Sequence, residues 1–153
     1  MHDREIDHFV SAASLATQGF FIDSIKRLRQ LVEEFPTSDL VDDALYNVGL
    51  CYFELHQFDR ALASLEELVE SYPDSTITAL DKSNEYGKTA AKACYLMVNC
   101  HLAKGQIKAA RKLLVALEQY NDSYILDGDQ KISFTEMGRR SVDTYLRINQ
   151  EKV

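Results

Sequence analysis

The stretch ALYNVGLCYFELHQFDRALASLEELVESYPDS, residues 44–75, decides the fold of this chain. Its apolar residues recur at three- and four-residue spacing on both sides of His56, a pattern typical of two amphipathic helices. Tyr72 and Pro73 end the second helix, and the polar residues after them turn the chain. We therefore predict a helix–turn–helix unit in which the small residues Gly49 and Ala61 let the two helices approach closely.

The same unit occurs three times along the chain. FFIDSIKRLRQLVEEFPTS (residues 20–38) aligns with QFDRALASLEELVESYPDS (residues 57–75), at a shift of 37 residues. ACYLMVNCHLAKGQIKAARKLL (residues 93–114) aligns with residues 44–65 at a shift of 49, so 49 − 37 = 12 extra residues form a polar insertion. Gly19, His56 and Gly105 fall at the turn of each copy, where a left-handed backbone is common.

These residues and spacings resemble the tetratricopeptide repeat, a helix–turn–helix unit of about 34 residues. The resemblance implies an all-α, right-handed superhelical solenoid in a single domain, residues 1–153, with repeats at about 5–38, 39–75 and 88–122. We expect the insertion, about 76–87, to be a mobile loop. The segment FTEMGRRSVDTYLRIN, within about 133–150, predicts a C-terminal capping helix. The spacing and the endings FPTS and YPDS are also similar to bacterial envelope-associated members, of the outer-membrane assembly lipoprotein and Tol-Pal coordinator types.

The composition, 46% apolar and 27% charged, is that of an ordinary soluble globular protein. A net charge of −7 without a basic stripe argues against a nucleic-acid partner. No apolar run approaches the ~18 residues of a membrane span. We expect a cytoplasmic protein, or a periplasmic one if a leader has been removed. Cys51, Cys94 and Cys100 lie in apolar, helix-like segments, which predicts free, buried thiols.

The stretch DGDQKISFTEM, residues 127–137, partly matches a calcium-binding EF-hand loop. Asp127, Asp129 and Glu136 would be the metal candidates, but Ile125 stands at the first ligand position and Gln130 at the glycine position. A turn at residues 127–128 followed by a capping box at residues 133–136 accounts for the same letters. We therefore expect no metal site, and a divalent-metal-responsive protein is the weakest alternative.

Catalytic motifs are missing from the sequence, which has no nucleophile elbow, phosphate-binding glycine loop or metal-binding His pair. We expect a protein that is not an enzyme and that needs no cofactor.

The repeat alignment instead predicts a binding groove. In the tetratricopeptide family the first helices of successive repeats line a concave groove that holds a peptide or protein partner. The residues that the resemblance places in this groove are Phe9, Asp43, Tyr46, Leu50, Phe53, Lys92, Tyr95 and Asn99. Phe9, Tyr46 and Tyr95 are equivalent and would form an aromatic row, although Phe53 could equally pack between repeats. The predicted function is a protein–protein interaction adaptor, and the alternative is a self-assembly module that forms homo-oligomers.

Overall fold

Residues 2–78 and 83–151 are described by the structure, a computed structural model. Within these ranges the chain forms seven α-helices, a short 3₁₀ turn (Glu118–Tyr120) and three short strands. In chain order the elements are α1 (His2–Thr17), α2 (Phe21–Glu34), α3 (Val41–Glu54), α4 (Phe58–Ser71), β1 (Glu85–Tyr86), α5 (Thr89–Ala103), α6 (Ile107–Leu117), β2 (Tyr124–Asp127), β3 (Gln130–Ser133) and α7 (Phe134–Glu151).

The first six helices pack as three successive helix–turn–helix pairs. α1 packs on α2, α3 on α4 and α5 on α6, while α3 also packs on α2 and α5 on α4. The turns within the pairs use the left-handed backbone at Gly19, His56 and Gly105, with φ of +86°, +58° and +74°. The predicted helical-repeat solenoid is therefore confirmed, together with the conformation of its three turns.

The core lies between the helices of each pair and between neighbouring pairs. Leu45, Val48, Leu65 and Leu68 are fully buried there. A Cβ added at Gly49 would lie 2.7 Å from Leu65 Cγ, so the missing side chain is what lets α3 approach α4. The sequence correctly predicts a close approach at Gly49, but the residue that Gly49 faces is Leu65.

The chain also forms a small three-stranded antiparallel sheet, in the order β1–β2–β3, that the sequence analysis does not predict. β2 and β3 form a hairpin, with Ile125 opposite Ile132. β1 adds to that hairpin, with Glu85 opposite Ile125. Gly128, with φ of +62°, begins the two-residue turn of the hairpin, which lies one residue after the turn predicted at residues 127–128.

The expectation of a loop over residues 76–87 differs from the structure in the part that it describes, while the mobility of the segment stays a prediction. Residues 85–86 are a strand, and the Leu126 amide donates to the Asn84 carbonyl at 2.8 Å. On the other side of the insertion, the Ile77 amide donates to the Gly87 carbonyl at 2.8 Å. Residues 79–82 lie outside the described residues. The ends of the insertion are therefore built into the fold.

α7 packs on both α5 and α6, as the prediction of a capping helix requires. Phe134 and Val142 are buried, whereas Ile148 is 46% exposed. The Ser133 hydroxyl accepts a hydrogen bond from the Glu136 amide at 3.0 Å, which confirms the N-terminal cap. The Glu136 carboxylate contacts Arg140 at 3.2 Å, so the second half of the predicted capping box is replaced by an ion pair along the helix.

No helix in the described ranges has the length and apolar character needed to cross a membrane.

Candidate partner-binding face

The first helices of the three pairs, α1, α3 and α5, turn one side away from the second helices. We call the surface formed by these sides the inner face. Its predicted residues are Phe9, Asp43, Tyr46, Leu50, Phe53, Lys92, Tyr95 and Asn99. Lys92 on α5 and Tyr46 on α3 meet on this face, where the lysine Nζ lies 4.0 Å from the centre of the tyrosine ring. A cation over an aromatic face is electrostatically attracted to it. Side chains at the predicted groove positions of neighbouring repeats are therefore in contact.

The insertion closes one end of the inner face at α3 and α5. The Asp43 carboxylate accepts hydrogen bonds from Thr78, at 3.3 Å from the backbone amide and 2.7 Å from the hydroxyl. Lys92 Nζ lies 2.9 Å from the Glu85 carboxylate of β1. The two predicted charged groove residues are thus already bound by the chain's own insertion.

Burial changes the titration of these groups. Burial first, and then the neighbouring Asp42 carboxylate, raises the pKa of Asp43 to about 6, while Thr78 and Lys92 act in the opposite direction. Burial and the nearby Glu85 carboxylate raise the pKa of Tyr46 above its ordinary value of 10.0, so the phenol stays protonated at neutral pH.

The third repeat's part of the inner face lies beside α7. Tyr95 is half-buried, and its ring centre lies 6.3 Å from that of Phe134, the first residue of α7. Below this contact a groove of about 510 Å³ runs between α5 and α7. The residues that line it are Tyr95, Asn99, Leu102, Ala103, Met137, Arg140, Ser141, Thr144, Tyr145 and Ile148. Tyr95 and Asn99 are therefore brought together in one groove, one wall of which is α7.

The remaining predicted residues lie on α1 and α3. Phe9, Leu50 and Phe53 are half-buried and packed against the core. Phe53 makes an edge-on contact with Phe58 at 5.5 Å between ring centres, so part of its surface packs within the helix pair. These side chains contribute to the inner face with only a part of their surface.

Two residues that the sequence reasoning missed are more open than any of these. Ile6 is 42% exposed and Val10 is 53% exposed, both on α1. Ile6 stands 37 residues before Asp43, so the same alignment that selects Phe9 could have found it. Val10 stands 37 residues before Asn47, which is not a predicted groove position, so only its exposure identifies it.

The weak metal candidates are placed in the hairpin and the helix after it. Asp127 ends β2, Asp129 lies in the turn, and Glu136 is in the first turn of α7. Among the described residues, no three His, Cys, Asp or Glu side chains are grouped closely enough to hold a metal ion. Residues 124–133 form a β-hairpin.

The sequence model of the tetratricopeptide repeat matches residues 43–75, which include α3 and α4. The chain contains a tetratricopeptide repeat. No curated protein sequence matches the chain. Solved structures share the fold over nearly the whole chain, although at low sequence identity.

Three solved structures illustrate this likeness. The type III secretion chaperone SycD of Yersinia enterocolitica, in complex with a peptide of the translocator YopD, has a TM-score of 0.65 at 17% identity, covering 98% of this chain and 95% of SycD. PcrH in complex with the chaperone binding region of PopD has a TM-score of 0.61 at 13% identity, covering 97% and 96%. The TPR2AB domain of yeast Sti1 with pHSP90 has a TM-score of 0.70 at 12% identity, covering 99% of this chain and 51% of that one. The fold of this chain is that of tetratricopeptide-repeat proteins.

Proposed function

We propose that this protein is a protein–protein interaction adaptor that holds a segment of a partner polypeptide on its inner face. The observation that carries the proposal is the open, largely apolar surface there, from Ile6 and Val10 on α1 to the groove between α5 and α7. Large exposed apolar side chains in a concave surface are typical of binding sites. The fold supports this assignment, because SycD, PcrH and Sti1 were each solved with a bound partner.

We further propose that the repeats extend over about 5–38, 39–75 and 88–122, with contacts to the partner made by the predicted inner-face residues together with Ile6 and Val10. The proposal assigns recognition to the chain and no chemical step. A segment bound here would lie across α1, α3 and α5, with α7 as the wall at one end.

Site-specific photo-crosslinking in the source cells tests the proposal. A photoreactive phenylalanine replaces Val10 on α1 or Thr144 in the α5–α7 groove, and the matched control carries it at Val115, 69% exposed on α6. We expect adducts with another polypeptide from the two inner positions and none from the control. Adducts only from the control position would contradict the proposal. Adducts whose second component is the same chain would instead support self-assembly.

A further inference from the structure

One exposed stripe of α1 carries no charged side chain. Ile6 and Val10 lie one turn apart and are 42% and 53% exposed, and Ala13 and Thr17 continue the same exposed stripe. None of the four side chains carries a charge. Exposed helix surfaces of soluble proteins ordinarily carry polar or charged residues, so this stripe requires an explanation.

Stacking of a further helix pair on the open end of the solenoid does not explain the stripe. Counted back by the 37-residue shift, the positions that α3 buries against α2 are polar on α1. Asp7, Ser11 and Ser14 stand where Ala44, Val48 and Cys51 stand on α3, and those three are at most 3% exposed. This side of α1 is therefore hydrophilic. The large apolar residues that α1 exposes, Ile6 and Val10, lie on the uncharged stripe instead.

Charge is scarce on the same half of the inner face. Of the described inner-face residues Ile6, Phe9, Val10, Asp43, Tyr46, Leu50 and Phe53, only Asp43 is charged, and Glu54 follows Phe53 at the end of α3. Asp43 is buried and accepts both hydrogen bonds from Thr78. Glu54 is exposed at the far end of α3. An acidic partner would therefore meet a carboxylate and no cation on this half, and a basic partner would find a counter-charge only at its end.

We infer that the α1–α3 half of the inner face binds an uncharged, aliphatic-rich stretch of the partner polypeptide, an inference that rests on the proposed function. The stretch covers Ile6 and Val10 and reaches Leu50 on α3. Removing apolar surface from water on both sides supplies the free energy of binding. The α5–α7 groove, which contains Asn99 and Arg140, remains for the more polar part of the same segment.

Selection of peptides from a random phage-displayed library on the full-length protein tests the inference. Peptides enriched on the wild-type protein should be rich in Leu, Ile, Val and Phe and poor in charged residues. The strongest is then synthesised and titrated against V10D and V115D, which place the same new charge at exposed valines on α1 and α6. We expect V10D to weaken binding about tenfold or more and V115D to leave it unchanged. Circular dichroism confirms that both variants are folded.

The outcomes separate this inference from the proposed function. Enrichment of charged peptides that photo-crosslink to the inner face would overturn the apolar assignment and leave the adaptor function standing. Equal binding to V10D and V115D would overturn the placement on α1. Failure to enrich any peptide would contradict both. If the wild-type protein instead self-associates in sedimentation experiments and V10D is monomeric, the occupant is a second copy of the chain and the inference is wrong.

Discussion

Replacing Asp43 by Asn should stabilise the protein at neutral pH and change its stability little at pH 4. Asp43 is 7% exposed, and its pKa rises from 3.8 to about 6 because the buried carboxylate loses hydration and faces Asp42. A carboxyl group with a raised pKa binds its proton more tightly in the folded than in the unfolded chain. Its charge therefore destabilises the fold above pH 6, and this effect disappears as the pH falls towards 3.8.

The magnitude follows from the two pKa values. A difference of about two pH units corresponds to about 3 kcal/mol, at about 1.4 kcal/mol for each unit. Asn has the shape of Asp, so its carbonyl can still accept from the Thr78 amide and its NH₂ group can donate to the Thr78 hydroxyl. We expect D43N to gain up to about 3 kcal/mol at pH 7.5 and well under 1 kcal/mol at pH 4.

Urea unfolding of wild type and D43N, followed by circular dichroism at pH 4, 5, 6 and 7.5, measures this gain. The control is D39N, because Asp39 lies exposed just before α3. D39N should alter stability by less than about 0.5 kcal/mol at every pH. The reasoning is refuted if D43N is less stable than wild type at pH 7.5, or if the difference between them is the same at all four pH values.

Three further predictions concern the elements around the inner face. Gly87→Ala should cost clearly more in thermal unfolding than Gly19→Ala, because both positions have positive φ but only at Gly87 would the new Cβ lie 2.6 Å from Ser123 Cα; equal losses would show that the contact yields. Ser133→Ala should cost about 0.5–2 kcal/mol through loss of the cap. Millimolar calcium should raise the wild-type melting temperature no more than magnesium does, and a calcium-specific rise would contradict the expectation that residues 127–136 hold no metal. The unfolded chain without reductant should titrate three thiols with Ellman's reagent, and the folded chain should react slowly at pH 8, since burial raises the pKa of Cys100 to about 12; a count of one thiol would indicate a disulfide.

The helices could be predicted because their evidence is local and is repeated. Three aligned copies, each with apolar residues at helical spacing and a turn residue such as Gly105, fix the number and the order of the helices. The left-handed turn at His56, with φ of +58°, followed from its alignment with two glycines rather than from its own preference. Helical periodicity and the alignment of the three copies were therefore sufficient to predict the helical-repeat solenoid.

The sheet could not be found in the same way. β1 has only two residues, too few to show an alternating pattern, and Glu85 pairs with Ile125, 40 residues further along the chain. The insertion is polar, and this composition predicts a loop wherever the partner strand is unknown. Contacts with segments distant in sequence determine the structure of residues 83–88, and a local sequence pattern does not reveal such contacts.

The sequence predicts which helices carry the candidate site, but it does not predict which of the site's side chains are exposed. Alignment selects Tyr46 and Lys92 for the inner face, and the structure places the two side chains in contact. The alignment does not show that the insertion brings Glu85 to Lys92, where the carboxylate pairs with the lysine charge. The structure departs further from the sequence prediction at Asp43. An acidic residue in the first turn of a helix is ordinarily solvated, whereas here Thr78 covers the carboxylate.

The unfavourable burial of Asp43 suggests what the insertion does for the proposed function. Asp43 accepts hydrogen bonds from Thr78 near the start of the insertion, and Asp42 accepts one from Thr89 just after its end, so α3 holds both ends of the inserted segment. Between these two points the segment places Glu85 on Lys92 at the rim of the inner face. The buried Asp43 carboxylate lowers the stability of the fold at neutral pH. In return, the insertion forms an ordered wall at one end of the proposed binding surface. Such a balance between stability and function is common at binding surfaces. This account requires D43N to keep its affinity for an inner-face peptide as long as Thr78 stays bound. Thr78→Val, which removes the hydroxyl donor and leaves the carboxylate with the backbone amide alone, should lower both stability and affinity. If T78V weakens folding without changing peptide affinity, the insertion is a structural addition that plays no part in recognition.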